Sequence, residues 1–140
     1  MSVPLPSSAP AIPDLARELF NELRSGSFDG VGVTRASYGE SESRALSLLA
    51  KKARREQLLA ASDRAGNLVI SLEGEDAGQP AITCGSHVDS VPEGGNYDGA
   101  AGVVAGLLAL VHLRRLGIVP PRSLKVLALR GEESAWFGQA

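Results

Sequence analysis

The chain has 140 residues, 44% hydrophobic and 21% charged, with a formal net charge of -2; this bounds it to one domain, or part of one, with a real core, and excludes a general pull toward nucleic acid or anionic membrane. A single cysteine, Cys84, excludes an internal disulfide and suits a reducing compartment, so a cytoplasmic location is expected. No apolar run approaches the roughly 20 residues of a membrane span, and residues 1–13 lack the basic and apolar regions of a signal peptide and are expected to be a disordered, Pro-rich lead-in.

Asp14 to Ser25, "DLARELFNELRS", places Leu15, Leu19, Phe20 and Leu23 at helical spacing, with Asp14 the expected cap and Gly26 the stop. Residues 26–40 are glycine-rich and read as loop. Ser41 to Arg55 predicts a second helix, with Ala45, Leu48, Leu49 and Ala53 on one side. Its Lys51, Lys52, Arg54 and Arg55 read as a solvated face, given the acidic balance of the chain. Two apolar runs flank "DRAG" and predict a β-hairpin that pairs Leu58–Ser62 with Asn67–Leu72. Residues 81–84 predict a short strand, with Cys84 as a core thiol. Residues 98–116 predict a long apolar helix opening on small residues, and 124–130 a strand of the kind buried on both faces of a parallel sheet.

Strand, loop, helix, strand is a βαβ unit, whose two strands run parallel. In open α/β sheets, ligands bind beyond the carboxyl ends of the strands. Two stretches sit at such ends: "GSHVDSVPEGGNYDG" at 85–99 and "RGEESAWFG" at 130–138. The topology therefore brings His87, Asp89, Asp98, Glu132 and Glu133 toward one sheet edge. A histidine in a glycine-rich loop is ordinarily a surface residue, and a glutamate pair is ordinarily solvated. Together at the ends of two adjacent parallel strands they point to a site.

The residue types suggest its chemistry. Asp89 is two residues from His87, on the same side of an extended segment, and a carboxylate there fixes an imidazole's tautomer and raises its basicity as a ligand. Asp98 stands at the expected N-cap of the long helix, able to accept a backbone N–H and still face outward. Glu132 and Glu133 are neighbours and point different ways, so one could bind metal while the other stays free as a base. A histidine with carboxylates suits Zn²⁺, Mn²⁺ or Co²⁺. Gly94, Gly95 and Gly99 allow tight backbone bends, and Gly102 allows close packing of the helix start. A phosphate loop is excluded over 93–102: there is no Gly-Lys-Ser/Thr ending, and Glu93 and Asp98 would repel phosphate. His112 is excluded by distance, since 14 helical residues beyond Asp98 amount to roughly 21 Å. Trp136 and Phe137 read as packing residues.

"GSHVDSVPEGGNYDGAAGV" followed by "EESAWFG" resembles the hydantoinase/carbamoylase amidases, zinc-type hydrolases of the M20 metallopeptidase superfamily that include N-carbamoyl-L-amino-acid hydrolases, β-ureidopropionases and allantoate amidohydrolases. The resemblance implies an α/β fold, part of a three-layer, zinc-peptidase-like catalytic domain with a mostly parallel sheet and flanking helices. It implies His87 and Glu133 as ligands of two divalent metal ions, Zn or else Mn, Co or Ni, with Asp98 bridging them. It makes Glu132 the general base and Asp89 the carboxylate that orients His87. The short step from His87 to Asp98 favours the amidase branch over the aminoacylases and dipeptidases, which have a longer insertion there; a non-catalytic homologue is the third reading. The family often has Arg where Trp136 stands, which bears on substrate preference; no substrate-binding residue is assigned. Family members draw two further histidines from later in the chain and use a separate lid domain for substrate binding and dimerisation. Residues 14–140 are thus expected to be the N-terminal part of a catalytic domain, inactive alone. The expected parent is a homodimer acting on a small molecule, without nucleic-acid or membrane partners.

Overall fold

The computed structural model describes residues 9–133. It forms, in order, α1 (Ile12–Ser25), α2 (Glu40–Arg55), β1 (Leu59–Ser62), β2 (Leu68–Leu72), β3 (Ile82–His87), α3 (Ala100–Arg115) and β4 (Leu124–Leu129).

Helix α1 buries Leu15, Leu19 and Leu23, a stripe of every fourth residue. It starts at Ile12, inside the segment read as lead-in, because Pro13 in the first turn lacks only an N–H that has no helical partner there. Asp14 is consequently not the cap. It lies within the first turn and pairs with Arg17 at 2.8 Å. In α2 the expected solvated face holds for Lys51, Arg54 and Arg55 but not for Lys52. Lys52 is 7% exposed, its ammonium paired with Glu18 and with Glu22 Oε1 at 2.7 Å. Burial pushes its pKa down, yet the two carboxylates outweigh this and hold it above the ordinary value. Helix α3 buries Ala100, Val103, Val104, Leu107, Leu110 and Val111. Among the described residues no helix is long and apolar enough to cross a membrane.

The sheet order is β1-β2-β4-β3. β3 and β4 are the expected parallel pair, joined through α3, with His87 opposite Leu129. The β1–β2 and β2–β4 pairs are antiparallel, so in the described residues the sheet is mixed rather than mostly parallel. The hairpin dictates the first of these two pairings. Asp63 Oδ1 accepts the N–H groups of Ala65 and Asn67, and a turn that short can only reverse the strand.

Alternate residues of β2 (Leu68, Ile70, Leu72) and of β4 (Val126, Ala128) meet the helices in one core. Fully burying side chains such as Leu19, Leu49, Ile70 and Leu107 contributes about 1.5–3 kcal/mol each. The opposite sheet face, with Lys125 and Leu129 of β4 exposed, has no helix on it among the described residues, so these show two layers of the expected three. Cys84 is exposed rather than a core thiol, because β3 is an edge strand. Because β3 and β4 are parallel, their carboxyl ends and the start of α3 gather at one edge.

Candidate metal centre

His87 closes β3 and is 9% exposed. Its Nδ1 lies 3.1 Å from the carbonyl oxygen of Asp89 and 3.4 Å from Asp89 Oδ1. With the proton on Nδ1 donated to Asp89, the Nε2 lone pair faces the opposite way, where Glu132 Oε2 lies 3.6 Å off. Gly99 makes room for the ring. A Cβ there would sit 2.4 Å from the imidazole, and the φ of +62° is the left-handed region where glycine carries no steric penalty. Gly102 allows close packing as expected, since a Cβ would approach Ser86 to 2.7 Å. Gly95 has open space around it and no positive φ, so nothing in its surroundings requires glycine.

The N-cap of α3 is Gly99, with no side-chain cap, and Asp98 precedes it. The Asp98 carboxylate is therefore not spent on the helix. It lies beside the Glu133 carboxyl instead. Partial burial, and then the Asp98 carboxyl beside it, push the Glu133 pKa above the ordinary glutamate value. Two carboxyls facing one another repel unless a proton or a cation lies between them.

Asp89 is wholly buried and has two functions where one was expected. Besides facing His87, it accepts the backbone N–H of Glu132 on Oδ1 (3.2 Å), and on Oδ2 the N–H of Glu133 (3.1 Å) and the Ser37 hydroxyl (2.7 Å). One carboxylate thus joins the end of β3 to the turn after β4. One ligand atom from each of His87, Glu132 and Glu133 lies within 4.8 Å of the others. Glu132 is the most exposed of the three. An imidazole with hard carboxylate oxygens, the Asp98–Glu133 pair adjoining, is a donor set that fits a divalent cation of the Zn or Mn type. Glu132 and Glu133 do not diverge as neighbours on a strand would, because the chain has left β4 by then.

Several residues of this edge carry no sequence signal. Arg35, in the stretch read only as loop, is wholly buried. Its Nε donates to the carbonyl of Val88 at 2.5 Å and its Nη1 to Ser27 Oγ at 3.1 Å. Its backbone N–H donates to Ser90 Oγ, and its carbonyl accepts the Ser90 N–H. Arg35 thereby braces both neighbours of Asp89. Burial lowers the Arg35 pKa, while the Asp89 and Asp98 charges act the other way. Glu42, in the first turn of α2, is wholly buried and reaches the chain just before Glu132. Ser27 apart, which is 8 residues from Arg35, these partners are 53 to 89 residues apart in sequence, and no local pattern announces them. Trp136 and Phe137 lie outside the described residues.

The family model that matches is Peptidase family M28, over residues 67–139. A ureidoglycolate hydrolase from Oryza sativa subsp. japonica is 38% identical over 106 residues, covering 76% of this chain and 22% of the relative. An N-carbamoyl-L-amino acid amidohydrolase from Geobacillus stearothermophilus is 39% identical over 106 residues, covering 76% of this chain and 26% of its own. The crystal structure of a hydantoinase/carbamoylase family amidase from Burkholderia ambifaria superposes with a TM-score of 0.84 at 34% identity, over 93% of this chain and 32% of that one. The chain thus spans about a quarter of the length of these curated relatives. It belongs to Peptidase family M28, and it is similar to hydantoinase/carbamoylase amidases in sequence and fold over about a quarter to a third of their length.

Proposed function

We propose that residues 14–140 are the N-terminal part of a metal-dependent catalytic domain, and that the full-length protein hydrolyses a C–N bond of an N-carbamoyl amino acid or a related ureido compound. The observation that carries this reading is the convergence of His87, Glu132 and Glu133 within 4.8 Å, with Asp98 beside Glu133. The names of the relatives, amidohydrolases of N-carbamoyl amino acids and of allantoate, support the substrate class. In this reading His87, Glu133 and Asp98 would hold a pair of divalent cations, zinc first among the candidates. Bound divalent cations supply Lewis-acid polarisation of the carbonyl and lower the pKa of a water to about 7.

The chain's own residues do the rest. Asp89 keeps the His87 proton on Nδ1, so that Nε2 is the ligating atom. Glu132, exposed at the edge, takes a proton from water and returns it to the leaving nitrogen. Asp89 also fixes the two backbone amides from which the base and the ligand depart. The substrate is a small molecule, and the location expected from the single cysteine and the dimeric state expected from the resemblance go with this proposal.

The test is Glu132→Gln in the full-length protein, assayed on N-carbamoyl-L-amino acids, allantoate and dipeptides. Loss of a general base should lower kcat by about 10²–10⁴-fold with zinc retained. Undiminished hydrolysis would remove Glu132 from the base role. Turnover of dipeptides alone would move the protein to the peptidase branch.

A further inference from the structure

We propose that Glu42 is a positioning residue for the Glu132–Glu133 pair, fixing where the chain turns after β4. The inference rests on the reading of that pair as base and metal ligand. Its basis is a run of four backbone amides. Past the end of β4 the chain has no ladder, and each successive N–H is taken by a side-chain oxygen from elsewhere. Arg130 N–H donates to Asn67 Oδ1 at 2.9 Å and Gly131 N–H to Glu42 Oε1 at 3.0 Å. The N–H groups of Glu132 and Glu133 both go to Asp89. Asp89 already belongs to the site. Glu42 does not, yet it is the charged anchor one residue upstream.

Glu42 engages more than an amide. Its Oε2 accepts Arg130 Nε at 2.6 Å and the Tyr38 N–H at 2.8 Å. The Arg130 guanidinium gives its Nη2 to Ser43 Oγ at 2.9 Å and lies over the Tyr38 ring at 4.9 Å. Tyr38 in turn closes on Gly131, where φ is +69° and a Cβ would come within 2.6 Å of the ring. The turn is therefore held from both sides by groups at the start of α2, a rigid helix. A buried carboxylate is costly to desolvate unless paired and hydrogen-bonded, and here, among the described residues, every hydrogen bond it makes ends on residue 38, 130 or 131. Position is the physical consequence: a shift of about 1 Å in a reacting group can lower a rate on the order of 10²-fold.

The experiment uses the full-length protein and two variants. Glu42→Leu/Arg130→Met replaces the ion pair by apolar side chains, so that no buried charge is left alone and the fold survives. Glu42→Gln keeps an amide oxygen for the Gly131 N–H. In the double variant, kcat on an N-carbamoyl-L-amino acid should fall on the order of 10²-fold with KM changed less than threefold. Hydrogen exchange at the amides of 131–133 should accelerate at least tenfold, while that of β2 stays as in the wild type. Glu42→Gln, whose amide oxygen still takes the Gly131 N–H while its NH₂ faces the Arg130 and Tyr38 donors, should lie between the wild type and the double variant in kcat and in protection. A folded double variant with wild-type kcat and wild-type exchange at 131–133 overturns the inference. If Glu132→Gln proves fully active, the functional reading fails by itself; the exchange measurement still decides for or against Glu42.

Discussion

The helical layer and the carboxyl edge of the sheet are held together by different forces. Beneath α1 and α2 the contacts are apolar: Leu15, Leu19, Leu23, Leu49 and Ala53 share one core cluster with Leu68 and Ile70. At the edge the buried groups are polar. Ser27, Arg35, Glu42, His87, Asp89 and Ser90 are all buried there, whereas Lys52 is the buried polar side chain of the helical layer among the described residues. Apolar burial is non-directional and tolerates small shifts. A buried polar network is directional, and it punishes any member left unpaired. The layer therefore supplies stability, and the edge uses part of it to keep titratable side chains in one place.

Substitutions can break this division, beginning with the largest effect. Leu49 is wholly buried in the helical layer. Leu49→Ala should destabilise by about 2–5 kcal/mol through lost transfer energy and the cavity left behind, read as a shift in the denaturant midpoint. Zinc affinity of the folded full-length protein should not change. A parallel loss of metal binding would show that the two regions are one cooperative unit.

Gly99→Ala asks the converse. The added Cβ would lie 2.4 Å from the His87 ring, at a φ of +62°, so the imidazole must move. Disturbing a ligand's support in this way lowers metal affinity by about 10–100-fold. A chelator-competition titration measures it, and unaltered affinity would detach His87 from the metal centre.

What could be read from the sequence follows the same line. Non-directional forces leave periodic traces. The helices, the hairpin and both parallel strands all followed from apolar spacing, off by a residue or two at their ends except at the carboxyl end of β3, which runs three residues further, to His87. The convergence of His87, Asp98, Glu132 and Glu133 followed from topology, since a βαβ unit leaves its strand ends at one edge. Directional contacts leave no such trace. Lys52 reads as solvated because its partner Glu18 is 34 residues away. Glu42 reads as an ordinary acidic residue in a first helical turn because Gly131 is 89 residues away. Arg35 and Ser37 lie in a stretch with no period at all. Asp98 reads as a cap by its position before the helix, but the helix begins one residue later and the carboxylate goes to Glu133. Cys84 reads as core because nothing local distinguishes an edge strand from a central one.

The smallest expected effect concerns a directional contact outside both regions. Asp29 lies in the exposed loop between α1 and α2. Its carboxylate accepts the Thr34 hydroxyl, the Val31 N–H at 2.9 Å and the Gly32 N–H at 2.8 Å. The Thr34 hydroxyl first, and then the two amides, bring its pKa down to about 2. A carboxylate whose folded pKa lies below its unfolded value stabilises the folded state above that unfolded value, about 3.9. The contribution is lost as pH falls from there through about 2. An NMR titration of the Asp29 carboxyl carbon should give a midpoint near 2, rising toward the ordinary value in Thr34→Ala. Solvent screens so exposed a site, so neither the metal centre nor the global denaturant midpoint at neutral pH should respond. A Thr34→Ala variant with weakened zinc binding would mean that the loop bearing Arg35 carries strain from Asp29 into the site. The edge would then depend on its surroundings more widely than the buried network alone requires.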